Sequence, residues 1–141
     1  MAGRPGYRSV SAYLINPQAT AIRAFAESVF GAKPAQPPTM DGDRLAHIAL
    51  EIGDSVILLG APHDGKAVET AFLHVYVADC DATYEKALAA GATGVMPPAP
   101  QPHGDRAAMV RDPGGNAWWI TTYVEDVPED EILRRQAAAR A

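Results

Sequence analysis

Apolar positions along this chain switch period several times, and each switch marks an element. Ile22, Phe25, Val29 and Phe30 recur at the three-and-four spacing of an amphipathic helix, predicting a helix over roughly 18–30 closed by Gly31. Two-residue alternation predicts a strand over roughly 8–15 and a hairpin over about 45–51 and 55–60, turning at Gly53-Asp54. Further on, the pattern predicts a strand near 72–78 and a helix near 81–90, with Asp79 or Asp81 as its N-cap and Gly91 after it. A second hairpin, about 106–111 and 116–123, turns through "DPGGN". "KPAQPP" and "MPPAPQPHG" read as proline-rich connections, and "APHDGKAVET" as a linker. The tail "DVPEDEILRRQAAARA" reads as a terminal helix capped by Asp126, with Pro128 early, acids in the first turn and arginines later.

These elements repeat. Gly-Asp-Arg stands at 42–44 and again at 104–106, and the helix-closing glycines Gly31 and Gly91 keep nearly the same offset. Each half reads strand, helix, short strand, hairpin. The expected division is a first module over 1–62, a linker over 63–70, a second module over 71–124 and a C-terminal helix over 125–141.

With 141 residues, the chain is long enough for a substantial core. A formal net charge of −5 argues against nucleic acid or an anionic membrane as the main partner. No apolar run has the length of a membrane span, and "MAGRPGYRSV" lacks the apolar stretch of a signal peptide. A lone cysteine, Cys80, excludes an internal disulfide and fits a reducing compartment, so a cytoplasmic protein is expected. Cys80 sits at a predicted helix start, but Asp79 and Asp81 beside it oppose a thiolate, which gives it a structural role.

The paired halves, "FLHVYVADCDATYEKALAAGA" and "GDR…RDPGGNAWWITTYVEDV" resemble the vicinal oxygen chelate proteins, and more closely their glyoxalase/bleomycin-resistance/dioxygenase branch. The resemblance covers essentially the whole chain. It implies an α+β fold of two tandem βαβββ modules, each a curved mixed sheet with its helices on the convex face. Two modules, from one chain or exchanged within a dimer, would enclose a ligand cavity.

Strand alternation can be read on that picture. A two-residue turn pairs Ile52 with Ser55, so His47, Ala49, Glu51, Val56 and Leu58 share one face and Ile48, Leu50, Ile57 and Leu59 the other. The aliphatic face should meet a helix, leaving the mixed face to line the cup. The same logic turns Ser11, Tyr13, Phe72, His74 and Tyr76 inward. Adjacent Trp118 and Trp119 must point to opposite faces: Trp118 with Ile120 toward the helices, Trp119 with Thr121 and Tyr123 into the cup.

In metal-dependent relatives, the resemblance implies four ligand positions, which fall here on Ser11, Leu58, His74 and Trp119. Only His74 is a conventional ligand, and one imidazole does not hold Zn²⁺, Ni²⁺ or Fe²⁺. No metal and no cofactor are therefore expected. His47 and Glu51 share a face but stand about 13 Å apart along their strand, too far for one ion. Arg106, Asp105 and Asp112 are expected to form a salt-bridged turn anchor, with His103 and Arg106 at the cavity rim. What remains is a cup lined by Ser11, Tyr13, His47, Glu51, Leu58, Phe72, His74, Tyr76, Trp119 and Tyr123, a largely aromatic wall with few polar groups. Two functions follow. One is a metal-free, sequestering binder of a small planar or hydrophobic molecule. The other is a lyase, isomerase or dioxygenase-like enzyme using His74 as base or residual ligand. A homodimer is expected, since open curved sheets leave edges for a two-fold partner.

Overall fold

The computed structural model describes residues 3–63 and 68–140. The first half contains β1 (Tyr13–Ile15), α1 (Ala19–Phe30), β2 (Lys33–Pro34), β3 (Thr39–Asp41), β4 (Arg44–Ile52) and β5 (Ser55–Gly60). The second contains β6 (Phe72–Tyr76), α2 (Cys80–Ala89), β7 (Thr93–Pro100), β8 (Asp105–Arg111) and β9 (Ala117–Tyr123), followed by α3 (Glu129–Arg140). Each half forms its own mixed sheet. One has the order β1-β5-β4-β2, with β3 also on β4; the other has the order β6-β9-β8-β7.

The duplication is visible in register. β1 runs parallel to β5 with Tyr13 opposite Leu58, and β6 runs parallel to β9 with His74 opposite Trp119, so one offset of 61 residues relates both pairs. Ile52 meets Ser55 and Glu51 meets Val56 across the first hairpin, as alternation requires, and Gly53 takes φ 58° at its turn.

Three features depart from the sequence reading. The proline-rich stretches are not plain connections: β7 includes Pro97, Pro98 and Pro100, and β2 ends on Pro34. Both are outermost strands, where a missing N–H costs no ladder bond on the solvent side. The first strand is short, beginning at Tyr13. Asp126 does not cap α3, which begins three residues later at Glu129, with the Pro128 carbonyl accepting from the Ile132 amide. Asp79 does cap α2, its carboxylate accepting from the Ala82 amide at 3.1 Å.

One core joins the halves. Leu14, Ile48, Leu50 and Leu59 from the first sheet and Ala108, Val110, Trp118 and Ile120 from the second pack with the buried stripes of α1 and α2. The Trp118 ring stacks on Phe30 at 4.8 Å and lies 6.0 Å from Phe25, both on α1. Two buried asparagines add polar ties. Asn16 donates to the Gly114 carbonyl at 2.8 Å, bridging the halves, and Asn116 accepts from the Ala71 amide at 2.9 Å. Because the helix-side faces of both sheets share this core, their other faces are turned away from it.

Candidate functional site

The turn before β9 decides where the two tryptophans go. Asp112, buried, accepts from the Gly114 and Asn116 amides at 2.8 and 3.0 Å, from Asn116 Nδ2 at 3.0 Å and from Trp118 Nε1 at 2.9 Å. The indole is thereby both buried and hydrogen-bonded, the condition for placing a tryptophan in a core. Trp118 is 2% exposed, and the next residue must face the other way. Trp119 is half-buried on the outer face, stacked on Phe72 at 6.5 Å.

That outer face of the second sheet is an aromatic strip. Phe72, Tyr76 and Tyr123 are 64%, 67% and 59% exposed, and His74 packs edge-on against Tyr76 at 4.7 Å. Small residues, Ala107, Ala117 and Thr121, are buried between the larger ones and form its floor. Thr121 Oγ1 holds His74 Nε2 at 3.1 Å. On the first sheet, Tyr13 and His47 pair through phenol oxygen and Nδ1 at 2.9 Å, near Leu58, the register partner of Tyr13. Glu51 is exposed farther along the same strand as His47.

The expected site residues thus fall into two groups. Tyr13, His47, Glu51 and Leu58 belong to the first sheet; Phe72, His74, Tyr76, Trp119 and Tyr123 belong to the second. The two outer faces lie on opposite sides of a shared core, so one chain does not bring the groups together. Ser11 lies just ahead of β1, and the residue opposite Leu58, matching His74 opposite Trp119, is Tyr13 instead.

The expected anchor of Arg106, Asp105 and Asp112 does not form. Arg106 shares strand parity with Ala108 and Val110, so it leaves on the helix side and makes a bidentate pair with Asp81 at 2.6 and 2.9 Å. That pairing holds the Asp81 carboxyl below its ordinary range and pushes the Arg106 guanidinium up. Asp105 instead takes His103 Nε2 at 3.2 Å, and Asp112 serves the turn. Sequence reasoning missed both carboxylate roles; the signal for Asp112 was an acid six residues before a tryptophan that must be buried. Cys80 is buried with its thiol toward the Ile120 carbonyl, and desolvation, then Asp81, pushes its pKa up. Tyr123 is also pushed up, first by its hydrogen bond with Asp126.

A groove of about 670 Å³ opens beside the outer edge of β6 and takes in His74 and Tyr76 of the aromatic strip. Both halves line it, among them Phe30, Ile57, Leu73, Val75 and Trp118.

The residues at the ligand positions of metal-dependent relatives do not fit a divalent ion. Leu58 and Trp119 offer no donor, and the Nε2 of His74 already faces Thr121. Among the described residues, no three His, Cys, Asp or Glu side chains converge. No helix among them is long and apolar enough to cross a membrane.

Comparison with known proteins agrees with this architecture. A protein of Mycobacterium bovis, Mb0911c, itself uncharacterized, is 32% identical over 130 residues, covering 84% of this chain and 85% of that one. Among solved structures, TioX from Micromonospora sp. ML1 superimposes with a TM-score of 0.65 at 21% identity, covering 86% of this chain and all of TioX. A glyoxalase-related enzyme from Fulvimarina pelagi gives 0.64 at 22% identity, covering 82% and 88% of the two chains. The model of one family matches residues 10–120, and the chain belongs to it: the Glyoxalase/Bleomycin resistance protein/Dioxygenase superfamily.

Proposed function

We propose that this protein binds a small planar or hydrophobic molecule without a metal ion, against the aromatic strip of β6 and β9, and acts by sequestration. The observation that carries the reading is the row of exposed Phe72, Tyr76 and Tyr123, with half-buried Trp119 among them, over a floor of small residues. A soluble sheet does not ordinarily leave such rings together in water, and flat π-faces favour flat ligands. Titrating tryptophan emission of the Trp118→Phe variant with planar aromatic compounds tests it, since Trp119 is then the only indole. Saturable quenching supports the reading, and none across the series sinks it.

A homodimer forms part of the proposal. The two groups of expected site residues lie on different sheets, and β1 and β6 each end a sheet. A second copy that set the first-sheet face of one protomer against the second-sheet face of the other would close a cavity around both groups. Sedimentation equilibrium should give twice the 14.9 kDa chain mass. A monomer would remove this part.

One observation favours a second reading, an enzyme with His74 as base. Thr121 fixes Nε2 of that imidazole, leaving Nδ1 for a substrate proton. His74→Ala separates the two: under sequestration it changes affinity alone, while in an enzyme it abolishes turnover with binding retained.

A further inference from the structure

A titratable pair on a well-fixed loop lies at the end of that strip. His103 occupies the segment Gln101–Gly104, and hydrogen bonds fix the backbone on both sides of it. Gln101 donates to the Asp105 carbonyl at 2.7 Å, and Gly104 donates to the Gln101 carbonyl at 3.1 Å. The Gly104 carbonyl accepts from both Val124 and Glu125, at 3.2 and 3.0 Å. From α3, Arg135 reaches the Pro102 carbonyl at 3.4 Å. On this fixed loop the imidazole is 45% exposed, while the Asp105 carboxylate behind it is 8% exposed. Asp105 pairs in register with Tyr123, which puts the imidazole where the aromatic strip ends.

A carboxylate only accepts, so the tautomer that suits the 3.2 Å contact is the one with its proton on Nε2. The neutral ring then presents the Nδ1 lone pair outward, and among the described residues nothing occupies it. The Asp105 carboxylate lies behind the ring, on its Nε2 side. Other charges near this end are Asp126, beside Tyr123, and the Arg135–Glu125 pair. The strip therefore offers hydrocarbon and π-faces along its length and, at one end, a proton acceptor with a built-in counter-charge.

We propose that the ligand of the aromatic strip carries an acidic hydroxyl, phenolic or enolic, at one edge, and that His103, positioned by Asp105, receives its proton. In that step the O–H bond breaks and its electron pair stays on oxygen. The proton moves to Nδ1, and the resulting oxyanion faces the imidazolium it formed. The inference rests on the stacking reading above and specifies the chemical class of what stacks. Trp119 and Tyr123 are four residues apart, about 13 Å along β9, so a fused tricyclic ring bearing the hydroxyl at its end spans the strip to the dyad.

Two dyes test it: alizarin, an anthraquinone with acidic phenols, and anthraquinone itself, which lacks them. Alizarin is expected to quench Trp119 and to shift its visible absorption to that of the phenolate on binding, below the pH at which it ionises free in solution. His103→Gln and Asp105→Asn should each weaken alizarin binding at least tenfold and remove the absorption shift, with anthraquinone binding unchanged. His103→Gln alters a half-exposed side chain, and far-UV circular dichroism checks that both variants fold. If both variants bind alizarin with wild-type affinity and the same spectrum, the proton-acceptor role is overturned while the strip stands. If neither dye quenches the wild-type protein, the stacking reading falls and this inference with it.

Discussion

Replacing Asp112 by alanine removes the acceptor that the β8–β9 turn is built around. Four donors converge on that carboxylate, from the Gly114 amide, the Asn116 amide and side chain, and Trp118 Nε1, at 2.8 to 3.0 Å. Gly114 is half-buried and can take water in exchange, but Asn116 and Trp118 are 0% and 2% exposed, so their donors would be stranded. Each buried donor without a partner costs about 1–3 kcal/mol, and with three stranded and local relaxation relieving the upper end the substitution costs about 3–5 kcal/mol overall. For a chain of this length that lowers Tm by about 10–15 °C, a large part of a typical folding free energy. Urea unfolding followed by tryptophan emission and circular dichroism gives the value directly. Asp112→Asn, with one carbonyl left to accept, should fall between alanine and wild type. A double-mutant cycle with Trp118→Phe should return a coupling of about 1 kcal/mol or more. If Asp112→Ala costs less than about 1 kcal/mol with an unchanged denaturant slope, the turn is not held as argued, and the account of why Trp118 is buried fails.

Other substitutions separate core from surface and test the remaining polar contacts. Trp118→Ala should cost about 3–5 kcal/mol in chemical denaturation, whereas Trp119→Ala should leave stability nearly unchanged and abolish the ligand-dependent quenching. Gly104 has φ 102°, and a Cβ there would collide with the Glu125 carbonyl oxygen, so Gly104→Ala should lose more than the roughly 1–2 kcal/mol of a left-handed placement alone, measured by the same unfolding curves. Cys80 should react with a thiol reagent only at the rate of global unfolding, and fast labelling in native buffer would contradict its burial. Hydrogen bonds from Arg134 and then Arg135 hold Glu131 down to about 2 from 4.5. A lowered carboxyl pKa stabilises above the unfolded value and loses that contribution as pH falls through the folded one, so α3 should fray between pH 4.5 and about 2. Amide chemical shifts along α3 that stay constant to pH 2 would contradict this.

Much of this fold can be read from local rules. A two-residue turn fixes the register of the first hairpin, and along β9 alternation alone sends the adjacent Trp118 and Trp119 to opposite faces. Where the sequence reading went astray, a partner distant in sequence had intervened. Nearby Asp105 and Asp112 suggest local partners for Arg106, but its strand parity sends it across to Asp81 on α2, 25 residues away. The prolines of β7 suggest a connection until the strand's place at the sheet margin is known, and that place is tertiary information. Asp105 and His103 stand two apart, a spacing with no motif value; their meaning comes from the burial of one and the exposure of the other. That the expected site residues lie on two surfaces rather than one is also invisible to alternation, which sorts residues by face and says nothing about where the faces are carried.

Three of the eight residues of β7 are prolines and have no amide hydrogen to offer a newcomer. That flank of the second sheet is chemically blunt, and addition by backbone pairing is left to β6 at the opposite flank. The first sheet repeats the arrangement, with Pro34 on the outer strand β2 and β1 at the other margin. A ribbon made by joining two such sheets through β1 and β6 would carry a proline-bearing strand at each end, where further strands find fewer amides to pair with.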